Sequence, residues 1–345
     1  MSEVVVITGA SAGIGRATAI AFARRGAKIG IIARGRKGLE STAREIERAG
    51  GEAVIAAADV SDAEQLEEAS VLIEKSCGDI DIWINNAMTT VFGEFKDITP
   101  SEFRRVTEVT YLGVVYGTRC ALKRMAPRNR GKIVQVGSAL AFRSIPLQAA
   151  YCGAKHAIHG FTESLCCELI HQGSKVEITE IYLPAVNTPQ FNWCKNNMPR
   201  MPRPLPPVFE PELISENIYW VAHHRRRDLI LGNNSLLAVW MNRFFPSLLD
   251  FYLAKTACEA QQHDGLSDPE KPNNLFAPLD IDPGTRGRFG EGARDRSIQM
   301  KLARVPLAVY ALSFLGFLSG AGFIRRRMRG RIGSKCRERR GKTQS

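Results

Sequence analysis

The stretch VVVITGASAGIGRATAIAFARRG, residues 4–26, places three glycines between a short apolar run and a helix-like pattern. The apolar run at the start predicts a buried strand, and the residues after Gly15 have the spacing of a helix. Gly9 permits a tight turn, Gly13 lets backbone approach a pyrophosphate, and Gly15 lets the helix pack closely. Because the first N–H groups of that helix would face the phosphates, the stretch predicts a dinucleotide-binding turn.

Residues 1 to about 235 alternate short β-branched runs with longer helical patterns. Strands with little polar alternation, separated by helices, are typical of a parallel sheet covered on both faces, and therefore of a doubly wound α/β domain. Right-handed crossovers then place the ligand at the carboxyl edge of the strands. The seven predicted strands are residues 4–8, 28–33, 53–59, 80–85, 132–137, 176–183 and 228–231.

The net charge of +12 is concentrated at one end of the chain. Residues 325–345 contain ten Lys or Arg and one Glu, a net +9, which leaves +3 for the rest. Nucleic-acid binding needs base-reading or stacking side chains, and this tail has no aromatic residue. The charge pattern therefore favours a nearly neutral body and argues against nucleic acid as a partner.

The eight cysteines contain no CxxC pair, which favours reduced thiols over a disulfide framework or a zinc site. Three histidines, His156, His159 and His171, lie on one predicted helix, and we interpret them as surface or packing residues. No metal site is predicted.

Six motifs occur in an order that resembles the short-chain dehydrogenase/reductase family. They cover about residues 1–235, and the resemblance implies a seven-stranded Rossmann fold. The motifs are TGxxxGxG from residue 8, AADV at 57–60, NNA at 85–87, VGS at 136–138, YCGAK at 151–155 and PAVNTP at 184–189.

Tyr151 and Lys155 are four residues apart, so on a helix they project from one face. An ammonium group beside a phenol favours the phenolate, so we expect Lys155 to lower the pKa of Tyr151 and to make it an acid/base group. The family resemblance implies that Ser138 holds the substrate oxygen and that Lys155 also binds the nicotinamide ribose. Hydride would pass between the substrate carbon and the nicotinamide.

The same resemblance implies the cofactor contacts. Asp59 and Val60 would border the adenine, and Thr188 would meet the carboxamide. The second predicted strand ends at Ala33, where an acidic residue would bind a ribose hydroxyl, and Arg34 follows, which would attract a 2′-phosphate. NADP is therefore favoured over NAD. The full predicted cofactor set is Gly9, Ser11, Gly13, Ile14, Gly15, Arg34, Asp59, Val60, Asn86, Ala87, Tyr151, Lys155 and Thr188.

Two positions depart from the family pattern. Thr110 stands where the family usually has an Asn that helps to hold a water for the proton relay from lysine. Its hydroxyl or its backbone carbonyl is the alternative holder, so Thr110 is kept as a catalytic candidate with Ser138, Tyr151 and Lys155. Met88 stands where glycine is common, and it would crowd the loop or line the pocket.

Residues 187–207, NTPQFNWCKNNMPRMPRPLPP, follow the sixth predicted strand. Their prolines disfavour regular structure, whereas Phe191, Trp193, Met198 and Met201 supply apolar area. We interpret the segment as a lid over an apolar substrate, with an irregular surface loop as the alternative.

The rest of the chain is read as an extension. Residues 236–304 are predicted to form a helix pair broken at Pro246 and then a partly ordered linker over about 259–300. The helix pair would pack on the core or on a dimer mate, with membrane contact as the alternative. The sequence NLFAPLD at 274–280 resembles a bacterial subgroup of the family with a long C-terminal extension.

Residues 305–324 run for 20 residues without a charge, and three arginines follow directly. This length could cross a bilayer, and the alternative is a buried core helix. Because no signal sequence is visible at the N-terminus, we predict a cytoplasmic body whose terminal segment associates with the cytoplasmic membrane surface.

These features predict an NADP-dependent oxidoreductase that interconverts an apolar secondary alcohol and its ketone. The family resemblance implies that the protein is a homodimer or a homotetramer. The competing hypothesis is a non-catalytic dinucleotide-binding membrane adaptor or redox sensor. Epimerisation or dehydration with a tightly held cofactor stays open as a third.

Overall fold

The computed structural model describes residues 2–268 and 270–305. Residues 1–300 form one compact unit, which includes most of the extension predicted to begin at residue 236. The remaining residues form a second unit, of which only 301–305 are described. The segment 306–324 and the basic tail, on which the membrane prediction rests, therefore lie outside the described residues.

Seven parallel strands form the central sheet, in the spatial order β12-β7-β6-β4-β1-β2-β3. All seven predicted strands are present, and the doubly wound Rossmann architecture is confirmed. The strands are β1 Val4–Thr8, β2 Lys28–Ala33, β3 Glu52–Ala57, β4 Ile82–Asn85, β6 Lys132–Ser138, β7 Glu177–Leu183 and β12 Asp228–Ile230.

Two-stranded pairs lie outside this sheet and are formed by short strands of the loops and the extension. The short strands are β5 Val91–Phe92, β8 Ala185–Val186, β9 Lys195–Asn196, β10 Arg200–Pro202, β11 Val208–Phe209 and β13 Gln262–Leu266. The helices are α1 Gly13–Ala23, α2 Arg36–Arg48, α3 Ala63–Cys77, α4 Pro100–Thr107, α5 Gly113–Met125, α6 Ala149–His171, α7 Gln190–Trp193, α8 Pro211–His223, α9 Asn233–Phe244, α10 Pro246–Ala260 and α11 Ile298–Ala303.

The reversal of strand order places the ligand edge of the sheet. The chain passes from β1 to β2 and β3 on one side, and from β4 to β6, β7 and β12 on the other. A crevice therefore opens beyond the carboxyl ends of β1 and β4, which is where ligands bind in such sheets. Every residue of β1, β4 and β6 is buried, so the edge rests on a rigid core.

The third strand ends two residues earlier than predicted. The Asp59 N–H donates to the Gln65 side chain (3.0 Å), and the Asp59 carboxylate accepts from the Ser61 N–H (3.0 Å). Side-chain hydrogen bonds of this kind replace the sheet ladder and turn the chain.

The predicted helix pair is present as α9 and α10, broken at Pro246. Seven of its large apolar side chains are more than half exposed and do not pack on the core of this chain, so the dimer mate and the membrane stay predictions for this face. The seven side chains are Leu237, Trp240, Phe244, Phe245, Leu248, Phe251 and Tyr252. Among the described residues, no helix is long and apolar enough to cross a membrane.

Candidate active site

The glycine turn after β1 requires the absence of side chains. Gly9 has φ +67°, and a Cβ there would lie 2.7 Å from the Ala87 Cα. A Cβ on Gly15 would lie 2.3 Å from the Gly9 carbonyl oxygen. The third glycine therefore allows the first turn of α1 to pack on the turn itself, as the sequence predicted.

Asn86 holds the turn to the end of β4. Its amide nitrogen donates to the carbonyls of Thr8 (3.0 Å) and Gly9 (3.2 Å). The Thr8 hydroxyl in turn accepts the backbone N–H groups of Asn86 (3.0 Å) and Ala87 (3.1 Å). These bonds tie the two strands that flank the crevice and fix the floor of the site.

A cavity of about 180 Å³ lies in the crevice. It brings together ten of the thirteen predicted cofactor residues, whereas Gly15, Tyr151 and Lys155 do not line it. The ten are Gly9, Ser11, Gly13, Ile14, Arg34, Asp59, Val60, Asn86, Ala87 and Thr188. Gly13 faces Thr188 across the cavity, and a Cβ on Gly13 would approach the Thr188 side chain to 3.2 Å. The open turn, the start of α1 and the adjacent arginine therefore fit a dinucleotide.

Arg34 lies at the outer end of the cavity, beside a second arginine. Its guanidinium is 4.0 Å from the Asp59 carboxylate, which also accepts a hydrogen bond from Arg105. The arginine bond and the bonds from Ser61 outweigh burial and hold the pKa of Asp59 below its usual value. Two cations around one carboxylate leave this end of the groove net positive, which suits a phosphate.

Ser138 ends β6, and Tyr151 and Lys155 lie in the first two turns of α6. The Ser138 hydroxyl faces the Tyr151 phenol and favours its ionised form. The Lys155 ammonium is 5.6 Å from the centroid of the Tyr151 ring and donates to the Val136 carbonyl (2.7 Å). The three predicted side chains therefore meet at the carboxyl end of β6.

The predicted effect of Lys155 on Tyr151 is wrong in this structure. Burial raises the pKa of Tyr151 above its ordinary value, and Ser138 opposes the rise only in part. Burial also lowers the pKa of Lys155 to about 8, although Glu180 acts in the opposite direction. The buried environment penalises both charged forms, so at neutral pH the tyrosine is a proton donor.

Thr110 lies in a π-helical turn, Glu108–Leu112, between α4 and α5. Its hydroxyl donates to the Thr89 carbonyl (2.9 Å) and accepts the Thr89 N–H (3.1 Å). The hydroxyl therefore clamps this turn to the loop after β4. Two groups of Thr110 were predicted to hold the relay water, the hydroxyl and the backbone carbonyl. The hydroxyl already bonds to Thr89, so the carbonyl stays the predicted holder.

Sequence reasoning missed a buried carboxylate beneath Lys155. The Glu180 side chain on β7 is 2% exposed and accepts from the Tyr182 hydroxyl (3.0 Å), which also contacts His159 Nδ1 (2.7 Å). Glu180 raises the pKa of His159. His159 thus pairs with a buried acid, and the signal that could have revealed it is the charge inside the apolar run EITEIYL.

The predicted lid contains more regular structure than expected. Within residues 187–207, α7 and two short strands form, and β10 pairs with β13 of the extension. Trp193 and Met88 line the cavity. Phe191 packs edge-on against Phe289 with ring centroids 5.7 Å apart, so the extension supports the lid.

Comparison with known proteins agrees with this geometry. A family model described as short chain dehydrogenase matches residues 3–198. The chain belongs to the short-chain dehydrogenase/reductase family. The uncharacterized oxidoreductase YxnA of Bacillus subtilis is 31% identical over 316 residues, which cover 90% of this chain and 87% of that protein. This match confirms the long C-terminal extension as a shared feature.

Rat estradiol 17-beta-dehydrogenase 11 is 30% identical over 246 residues, covering 71% of this chain and 80% of that protein. An alcohol dehydrogenase from Thermococcus sibiricus, complexed with 5-hydroxy-NADP, superposes with a TM-score of 0.58 and 29% identity over 67% of this chain and 96% of its own. A short chain dehydrogenase from Mycobacterium paratuberculosis, bound to NAD, superposes with a TM-score of 0.60 and 25% identity. The match covers 68% of this chain and 97% of that chain. The protein is an NAD(P)-dependent oxidoreductase of this family.

Proposed function

We propose that the protein is an NADP-preferring oxidoreductase that interconverts an apolar secondary alcohol and its ketone. The observation that carries the proposal is the meeting of Ser138, Tyr151 and Lys155 at the carboxyl end of β6, in a sheet whose glycine turn and neighbouring arginine suit a dinucleotide. Burying the Lys155 ammonium costs stability, and ionisable groups with such perturbed pKa values cluster at functional sites. This favours catalysis over the adaptor hypothesis.

The bound nicotinamide supplies the chemistry of hydride donation or acceptance. Ser138 accepts or donates a hydrogen bond at the substrate oxygen, and the Tyr151 hydroxyl exchanges a proton with that oxygen. The raised pKa of Tyr151 keeps the phenol protonated at neutral pH, which is the form that ketone reduction requires. Lys155 would anchor the nicotinamide ribose.

An apolar substrate suits the side chains around the reacting end. Met88 and Trp193 line the cavity, and Phe191 stands behind them on α7. The rat relative is named for estradiol, an apolar secondary alcohol. We assign the substrate to the class of apolar secondary alcohols and their ketones. Residues 187–207, the predicted lid, would recognise it.

The test is NADPH oxidation by the full-length protein with two series of ketones. One series is apolar, with long-chain and polycyclic members, and the other consists of charged 2-oxo acids of similar reactivity. We expect turnover with the apolar series only. Turnover confined to the charged series would overturn the substrate class.

The preference for NADP is tested at Arg34. Arg34→Ala should weaken NADPH binding about tenfold and leave NADH binding nearly unchanged, because a charge-assisted bond to the 2′-phosphate is lost. Fluorescence titration of both dinucleotides gives the ratio of the two Kd values. Arg36→Ala is the matched control, since Arg36 is exposed and pairs only with Glu40 on its own helix among the described residues. An unchanged ratio in Arg34→Ala would count against the preference.

We also propose that the enzyme works as a homo-oligomer at the cytoplasmic surface of a membrane. The support is the charge-free sequence 305–324 followed by arginines, together with the exposed aromatic side chains on α9 and α10. The full-length protein should float with vesicles that contain phosphatidylglycerol, and less so at high salt. Absence of flotation with any vesicle would contradict the membrane proposal.

A further inference from the structure

Residues 274–289 of the extension, which we term the strap, cross the mouth of the dinucleotide groove. Pro278, Leu279, Ile281 and Pro283 of the strap line the same cavity as the glycine turn. The two solved relatives match at least 96% of their own length and about two-thirds of this chain. Those proteins therefore have little sequence left that could correspond to the extension.

Both ends of the strap are fastened to the body. At one end Leu275 is 0% exposed and packs in a cluster with Val91, Val106 and Ala150. At the other end, the Phe289 N–H donates to the Asn187 side chain (3.0 Å), and the Gly287 N–H donates to the Asn187 carbonyl (3.2 Å). These contacts hold the two ends of the strap and do not involve its middle, residues 278–284.

Two ionic contacts hold the middle of the strap. One is the exposed pair of Asp280 with Lys37. The other, which we term the latch, consists of Asp282, Arg16 and Ser41. Arg16, on α1, has a side chain 3% exposed and pairs with the Asp282 carboxylate. The Ser41 hydroxyl, on α2, donates to the other Asp282 oxygen (2.6 Å). A hydrogen-bonded ion pair with one partner buried is stronger than an exposed one.

The latched strap also contacts groups that a cofactor would need. The Gly284 carbonyl accepts the backbone N–H of Gly13, at the start of α1 (3.1 Å). Arg34 donates three hydrogen bonds to the carbonyls of residues 274–276. The cavity that remains, about 180 Å³, is smaller than the roughly 300–1,000 Å³ typical of sites for organic ligands. A dinucleotide therefore needs the strap to shift before it can enter fully.

We propose that the strap gates the dinucleotide groove and that the latch sets how often the gate opens. This inference rests on the proposed function, because it takes a dinucleotide as the ligand. Opening breaks the Asp282 bonds to Arg16 and Ser41, frees the Gly13 N–H, and exposes the groove between β1 and β4. Entry and release of the cofactor are both limited by this opening.

The test compares Asp282→Asn with Asp280→Asn in the full-length protein. Both variants remove one negative charge from the strap, but Asp280 pairs only with Lys37 among the described residues, and both of those side chains are exposed. Stopped-flow fluorescence gives the association and dissociation rates of NADPH. Hydrogen exchange of the peptides that contain Gly13 and residues 276–289 reports opening without any cofactor.

We expect Asp282→Asn to raise the NADPH association rate and the exchange rate of the strap about tenfold, and Asp280→Asn to match the wild type. Equal rates in all three proteins, by both readouts, would overturn the gate. If the wild type bound neither NADPH nor NADH while exchange still rose in Asp282→Asn, the proposed function would fail and the latch would stand.

Discussion

Tyr151→Phe is expected to lower kcat for ketone reduction about a thousandfold, because it removes the proton donor and little else. Phenylalanine keeps the ring and loses only the hydroxyl, so the packing around this half-buried residue can stay in place. Binding of NADPH should change less than threefold. The measurement is steady-state NADPH oxidation with the best apolar ketone, together with fluorescence titration of the cofactor.

Tyr116→Phe is the matched control for this substitution. Tyr116 lies on α5, packs against the core and does not line the cavity, so its variant should keep wild-type turnover. Full turnover in Tyr151→Phe would show that Tyr151 is not the proton donor of the reaction.

Lys155→Met should abolish turnover to a similar degree while making the cofactor-free protein more stable. The Lys155 side chain is almost fully buried, and its pKa falls from 10.5 to about 8. Below pH 8 the native state therefore holds a charge that is better solvated in the unfolded chain. That difference corresponds to about 3 kcal/mol, of which about 1 is offset by loss of the bond to the Val136 carbonyl. A net gain of about 2 kcal/mol at pH 7 follows.

The pH dependence gives this prediction its sign. Between pH 8 and 10.5 the unfolded wild type binds more protons at this lysine than the native protein does, so wild-type stability rises with pH. The advantage of Lys155→Met should therefore be full at pH 7 and smaller at pH 9.5. Urea unfolding at the two pH values measures it.

Lys75→Met serves as the control, since Lys75 is exposed in the last turn of α3. Its stability relative to the wild type should not vary between the two pH values. If Lys155→Met were less stable than the wild type at pH 7, the cost of burying the ammonium would have been overstated.

The sheet and the glycine turn were predictable because their constraints are local. Unbroken apolar runs specify buried parallel strands, and Gly9 and Gly15 occupy positions where a Cβ collides with backbone. The ends of strands were harder to predict. The third strand stops where the Asp59 N–H donates to the Gln65 side chain instead of to a neighbouring strand, and that choice depends on three-dimensional neighbours.

The strap was predicted only as a partly ordered linker. Its main anchors are backbone carbonyls that accept bonds from Arg34, and a carbonyl carries no residue signature. Its charged anchors pair with residues that are distant in the sequence: Asp282 pairs with Arg16 across 266 residues, and Asp280 and Arg286 also pair with residues of the body. No periodicity operates over such separations. Proline and glycine content indicated irregular backbone correctly, but not where that backbone would lie.

The sequence predicted which residues meet in the candidate site, but it did not predict how their pKa values shift. Motif order brought Ser138, Tyr151 and Lys155 together, whereas the pKa of Tyr151 moves in the opposite direction from the one that helical spacing suggested. Burial depends on the packing of the whole domain, and spacing along a helix does not report it. The buried Glu180 near Lys155 was missed for the same reason, because its burial cannot be inferred from spacing along the chain.

Hydride transfer itself is the central claim, and isotope transfer tests it most directly. The full-length protein is incubated with NADPH deuterated at nicotinamide C4, in separate samples for each face, and an apolar ketone; the alcohol is then analysed by mass spectrometry. We predict one deuterium at the carbinol carbon per turnover, from one face only, and none with Tyr151→Phe in the same time. NADPH binding without deuterium in any alcohol product, across the apolar series, would contradict the proposed reaction.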